Sequence, residues 1–163
     1  MQRVLIVISH ADDAAAQEAT NACKHLAQRG ISCVFDKEDL EHFAALGATQ
    51  PEGSTTYSGE DLDLVMVLGG DGSILRAAEI VNGNPAPILG INLGHVGFMT
   101  EAERSEIPAV LDAVAAGKFS TSERTTLEVK VWQEGKEVFS SWAINEVAVE
   151  KSARERIDRK SVV

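Results

Sequence analysis

The chain has 163 residues, 44% of them hydrophobic, with two cysteines and a formal net charge of −10. That length fits one domain whose core needs neither disulfides nor a structural metal. The acidity argues against non-specific binding to nucleic acid or to an anionic membrane, and no apolar run approaches a membrane span.

The N-terminal run MQRVLIVIS places Arg3 before an apolar stretch, in the manner of a signal peptide. It is short, rich in β-branched residues and without a small-residue cleavage site, so Arg3–Ser9 reads as a first buried strand in a cytoplasmic protein. Ala11–Arg29 has helical spacing, with Ala15, Ala19, Ala22, Cys23 and Leu26 on one stripe. Asp12 is the expected cap, and Gly30 the residue that ends the helix. Ile31–Phe35 is a second strand, so strand, helix and strand imply a right-handed crossover and parallel pairing. Cys23 lies on the helix stripe and Cys33 in the strand, where small buried thiols are ordinary. Neither is assigned a function. From Asp36 to Asp61 the periodicity dissolves into acidic residues broken by Pro51, Gly53 and Gly59. A short helix near Glu38–Leu46 is one reading, and a mobile surface loop accounts for the rest.

Leu62–Leu68 (LDLVMVL) is a third strand, followed by Gly69-Gly70-Asp71-Gly72 and a helix over Ser73–Val81. Glycines at that turn predict positive φ and close approach of backbone to a ligand. The helix start aims unpaired N–H groups at the turn, an anion site suited to phosphate. Asp71 stands among those groups, and a carboxylate beside phosphate calls for a metal or a proton to accept. The pattern points to phosphoryl transfer. A plain strand-to-helix junction capped by Asp71 or Ser73 is the competing reading. No Gly-Lys-Ser/Thr follows, so the turn is not a Walker loop, and it lacks the dinucleotide fingerprint spacing. Arg76 lies one helical turn on, either pointing a guanidinium into the phosphate crevice or solvated on the helix surface.

Pro87–Asn92 is a fourth strand, with Gly90, Gly94 and Gly97 forming a second glycine cluster. In open α/β sheets ligands sit beyond the carboxyl ends of strands, so both clusters are expected to line one crevice. His95 has no evident partner and is given no role. Ser105–Ala116 is helical, with Ile107, Val110, Leu111 and Val114 on one face and Gly117 closing it. After Phe119, Leu127–Trp132 alternates, Glu134–Glu137 turns, and Val138–Val149 is again extended, which makes a hairpin. Asn145 and Glu146 interrupt the apolar run Trp142–Val149. One reading is an edge strand with a solvated residue; the other is recognition of adenine or ribose. The pattern as a whole gives a doubly wound, mostly parallel α/β sheet followed by the start of an antiparallel β segment.

Four blocks, LGGDGSILRAAE, LGINLGHVGFMTE, SERTTLEV and AINEVAVEK, resemble the NAD kinase family, in family order, from the first strand to about Ile157. Ser73 stands where the family usually has Thr, which keeps the hydroxyl. The resemblance implies a Rossmann-like fold and transfer of the γ-phosphoryl group of ATP, or of polyphosphate, to the adenosine ribose 2′-hydroxyl of NAD. It implies that Asp71 accepts the hydroxyl proton, Gly72 contacts the dinucleotide, Arg76 the phosphates, and Asn145 with Glu146 the adenosine. A basic residue also binds, with Arg156 the best match in spacing and Arg154 and Lys151 its rivals. A divalent cation, Mg²⁺, and a homodimer or tetramer are further implications. Lipid kinases and phosphofructokinases share Gly-Gly-Asp-Gly, but their accompanying glycine and aspartate loops are not found here. A non-catalytic nucleotide-binding module is the alternative from another class. Family chains continue into a β-rich second domain with a Thr-Pro-Thr-Gly-Ser-Thr-Ala-Tyr segment, not found here. The expectation is therefore an α/β domain at 1–118, a β-rich segment at 119–157 and an unmatched tail at 158–163. Such a fragment is expected to be catalytically silent, to bind nucleotide weakly if at all and to self-associate through its C-terminal strands.

Overall fold

A computed structural model describes residues 1–94, 97–144 and 146–148. The chain divides into two compact units, Met1–Ser120 and Thr121–Val163.

In the first unit the strands are β1 (Arg3–Ile8), β2 (Ser32–Phe35), β3 (Thr55–Thr56), β4 (Leu64–Leu68), β5 (Ile88–Asn92) and β6 (Ala102–Glu103). They form one six-stranded sheet in the order β3-β2-β1-β4-β5-β6, and every pairing is parallel. The doubly wound expectation holds, with the strands before Gly69 and Gly90 running parallel. Helices α1 (Ala14–Ala27), α2 (Lys37–Ala45), α3 (Asp71–Ile80) and α4 (Ile107–Ala115) follow β1, β2, β4 and β6.

Strand alternation sorts the core into two layers. Val4, Ile6, Ile8, Leu64, Met66 and Leu68 pack with α1, α4 and Phe43 of α2. Leu5, Val7, Val65 and Val67 pack with Ile74, Ala77 and Val81 of α3 and its end. A sheet covered on both faces needs apolar residues at every position, which is why β1 and β4 read as unbroken runs. The α1 stripe is as spaced, with Ala16 also buried. Its alanines let the helix approach the sheet closely. Asp12 accepts the Ala14 N–H at 2.9 Å, so it serves the helix start from two residues ahead. Gly30 takes φ +73° two residues past the C-cap Gln28. Cys23 and Cys33 are free and buried. A hydrogen bond to Cys33, then burial, pushes the Cys23 thiol well above its usual range.

The stretch after β2 is more ordered than its composition suggests. Asp36 caps α2 by accepting the Glu38 N–H at 3.2 Å, and β3 pairs with β2. In the second unit, β7 (Thr126–Gln133) and β8 (Lys136–Ile144) form an antiparallel hairpin. Glu134 (φ 50°) and Gly135 (φ 77°) make the two-residue turn, both left-handed as a hairpin twist favours. Its exposed faces carry Leu127, Val131, Trp132, Val138 and Phe139.

Two stability tests follow from this layout. Ile6 is fully buried on the central strand, so Ile6→Ala should cost about 2–5 kcal/mol in urea unfolding of the α/β unit. Trp132→Ala, at a site 61% exposed, should leave that transition in place. At the amino end of β1, Asp63 accepts main-chain N–H groups of Gln2 at 2.6 Å and Arg3 at 2.9 Å. These bonds, Gln2 first, hold its carboxyl below the usual 3.8. A depressed carboxyl stabilises the fold above its unfolded pKa, and that contribution is lost as pH falls through the folded value. Asp63→Asn should therefore lower Tm at neutral pH, with the gap closing below pH 3.8.

Candidate functional site

The sheet order reverses between β1 and β4, so the chain leaves their carboxyl ends in opposite directions. In such sheets this divergence opens a crevice for ligands. The Ser9 N–H bonds the Leu68 carbonyl at 2.9 Å, and the Gly69 N–H bonds the Ile91 carbonyl at 3.0 Å. The first residue beyond β4 is thereby tied to β5, beside the end of β1.

The glycines of this turn act through space rather than through left-handed backbone. Gly69, Gly70 and Gly72 all lie outside the positive-φ region, contrary to the expectation from sequence. A Cβ on Gly69 would stand 2.6 Å from Ser73 Oγ and 3.0 Å from Ser9 Cβ. Gly69 is there because the junction is tight. At Gly70 and Gly72 a Cβ would meet nothing within 4 Å. Their bare backbone faces open space, as a ligand cradle requires.

Helix α3 begins at Asp71, two residues earlier than the apolar spacing indicated, with Gly70 at the N-cap. No side chain caps it, so neither Asp71 nor Ser73 has the capping role considered above. The Asp71 carboxylate instead reaches across the crevice. Oδ2 accepts the Phe98 N–H and Oδ1 the Met99 N–H, both at 3.0 Å. Gly97 supplies the clearance, since a Cβ there would collide with Asp71 Oδ1. The two glycine clusters thus meet around one carboxylate. Within β5, Gly90 has a different task, because a Cβ would stand 2.5 Å from Ile74 Cδ1 where α3 packs on the sheet.

Arg76 lies on the same helix, but its contacts lead to the end of β1. Nη2 donates to the Ile8 carbonyl at 2.8 Å and to Asp39 Oδ1 at 2.6 Å. Asp39 is fully buried and also lies 2.7 Å from His10 Nε2, whose ring stacks on His42. Burial raises the Asp39 carboxyl, and Arg76 and then His10 pull it back. Sequence reasoning missed Asp39: the short helix read near Glu38–Leu46 contains it, but no role was given to it. Its phase was the available signal, since it precedes buried Phe43 by four residues.

Gly72 is exposed on the first turn of α3. Glu146 belongs to the second unit, beyond the end of β8 at Ile144, so the extended segment expected through Val149 stops short of it. It is exposed, with its N–H bonded to the Ile144 carbonyl at 3.1 Å. His95, Asn145, Lys151, Arg154, Arg156 and the tail at 158–163 lie outside the described residues. Among the described residues, no group of three His, Cys, Asp or Glu side chains could hold a metal. No helix among them is long and apolar enough to cross a membrane.

Residues 4–119 match the family of the ATP-NAD kinase N-terminal domain. The chain is 40% identical to an NAD kinase of Leifsonia xyli, over 96% of this chain and 53% of that protein. It is 35% identical to an NAD kinase 2 of Streptomyces coelicolor, over 95% of this chain and 52% of that one. The crystal structure of yeast NADH kinase complexed with NADH shares the fold, with a TM-score of 0.71 at 20% identity over 88% of this chain and 46% of that chain. The chain spans about half the length of these relatives.

The clearance at Gly97 can be tested directly. Gly97→Ala should shift the Phe98 and Met99 amide resonances as Asp71→Asn does, with the remaining α/β amides in place. Unchanged amides at both positions would mean the contact is not formed in solution.

Proposed function

The chain belongs to the NAD kinase family, and from that premise we propose that its crevice serves phosphoryl transfer from ATP to NAD, giving NADP. The observation that carries this reading is Asp71, a carboxylate at a glycine turn and helix N-terminus, oriented by two main-chain N–H groups. A general base needs a fixed orientation toward the proton it takes. In this reading Asp71 accepts the proton of the adenosine ribose 2′-hydroxyl as that oxygen bonds the γ-phosphorus and ADP departs. The N–H groups at the start of α3 and the bare backbone of Gly70 and Gly72 receive phosphate oxygens. Phosphoryl transfer asks the protein mainly for positioning and charge stabilisation, and a rigid strand–turn–helix joint supplies the first.

Gly72 is assigned to the dinucleotide, Arg76 to phosphate, Asn145 and Glu146 to the adenosine, and Arg156 to a further anionic contact. Polyphosphate is a second possible donor under the same chemistry. Mg²⁺ fits a site with one carboxylate, because kinase sites hold it largely through substrate phosphates and water. Asp71 is the carboxylate of the turn that would join it, and the ion would neutralise phosphate charge. The same reading places the protein in the cytoplasm, as a homo-oligomer.

The test is a coupled assay for NADP formation beside titrations with labelled ATP and NAD. Binding without turnover would favour a nucleotide-binding module for the chain as it stands. In the catalytically competent protein, Asp71→Asn should lower kcat about a hundredfold or more, the scale for a positioned base, with dinucleotide affinity much less changed. Near-normal turnover would remove Asp71 from the role.

A further inference from the structure

The carboxylate of Asp39 gathers three elements at one buried point. It comes from α2, bonds Arg76 of α3 at 2.6 Å and lies 2.7 Å from His10, two residues beyond β1. The Ile8 N–H approaches its second oxygen at 3.4 Å. A fully buried carboxylate is costly unless paired and hydrogen-bonded, and here the pairing also fixes its partner. Arg76 Nη2 is held by two acceptors, the Asp39 oxygen and the Ile8 carbonyl. A planar guanidinium pinned at one nitrogen has little freedom at the other.

That other nitrogen, Nη1, is buried and makes no hydrogen bond among the described residues. Asp36 stands 3.8 Å from it and Glu38 4.0 Å. The Asp36 carboxylate caps α2, and the Glu38 side chain is 70% exposed, so water screens it. A buried donor without an acceptor carries a desolvation cost and wants a ligand or water. This one stands at the carboxyl end of β1, beside the topological switch point. His10 Nε2 lies against the same Asp39 oxygen that Arg76 Nη2 bonds.

We propose that Asp39 is a positioning residue: it holds the Arg76 guanidinium at the end of β1 so that Nη1 meets a phosphate oxygen of the bound nucleotide. This rests on the phosphoryl-transfer reading above, which makes Arg76 a phosphate contact.

The experiment uses the full chain with ADP as probe, following ADP affinity and the side-chain ¹⁵Nη resonances of Arg76. A pinned guanidinium gives separate Nη signals; a freely rotating one gives a merged signal. Asp39→Asn should merge them and weaken ADP binding about tenfold or more, the scale of a lost hydrogen bond to a charged group. In an Arg76→Gln background the same change should add little, because its effect passes through Arg76. Equal weakening in both backgrounds, or unchanged affinity with unchanged Nη signals, would overturn the proposal and leave the functional reading standing. If Asp39→Asn does not fold, Arg76→Lys decides. Its ammonium keeps the charge without the fork, so ADP affinity should again fall about tenfold, and full affinity would overturn the proposal. A wild-type chain that binds no ADP would overturn the proposal for this chain, while failure of the catalytically competent protein to bind ADP would defeat the functional reading.

Discussion

At the carboxyl ends of β1 and β4, two neighbouring parallel strands send their chains to opposite faces of the sheet. Parallel strands need crossovers, and the crossovers bury both faces. The strand order therefore has one place where adjacent strand ends are not bridged by a common connection. The candidate site of the first unit is arranged around that gap. The Ser9 N–H joins the Leu68 carbonyl across it, Gly69 closes the joint without a side chain, and α3 starts immediately beyond. Because the apolar layers beneath are fully packed, the joint has little room to move. Asp71 and Arg76 inherit that fixity.

Much of this was legible in the chain because hydrophobic period is a strong signal where burial is complete. β1, β4 and the α1 stripe read correctly since each is covered by packed neighbours. The existence of the hairpin read correctly, but its turn is Glu134-Gly135 alone rather than Glu134–Glu137, and β8 runs Lys136–Ile144 rather than Val138–Val149. β3 and β6 did not read at all, as each has two residues and owes its existence to the edge it pairs with. No local pattern is long enough to announce such a strand. The start of α3 was misplaced for a related reason. Its first two residues, Asp71 and Gly72, are helical in backbone but contribute no apolar face, so periodicity cannot see them.

The site was legible in its residues more than in its reasons. Asp71 stood out as a carboxylate in a glycine turn, yet its partners are main-chain N–H groups, which carry no sequence signature. Three glycines suggested left-handed backbone, whereas the structure uses them for clearance on one side and open space on the other. The sequence motif is the same for both uses, and only the surrounding atoms distinguish them. Asp39 was hidden for the opposite reason. An acidic residue among other acidic residues reads as solvated surface, and its burial depends on Arg76, 37 positions away.

Asp71 and Arg76 also show why one helix can carry groups of opposite charge without the two cancelling. Their nearest polar partners differ: main-chain N–H groups after β5 for the carboxylate, and Asp39 with the Ile8 carbonyl for the guanidinium. A direct ion pair between them would have satisfied both locally and left nothing to present. Holding each against a different part of the frame keeps a negative and a positive group apart on one rigid element. A phosphoryl-transfer site needs that separation, since the base must face a hydroxyl while the cation faces phosphate. The buried Asp39 is consistent with this division. Its desolvation works against stability, and what it supplies in return is the placement of a charge at the end of β1.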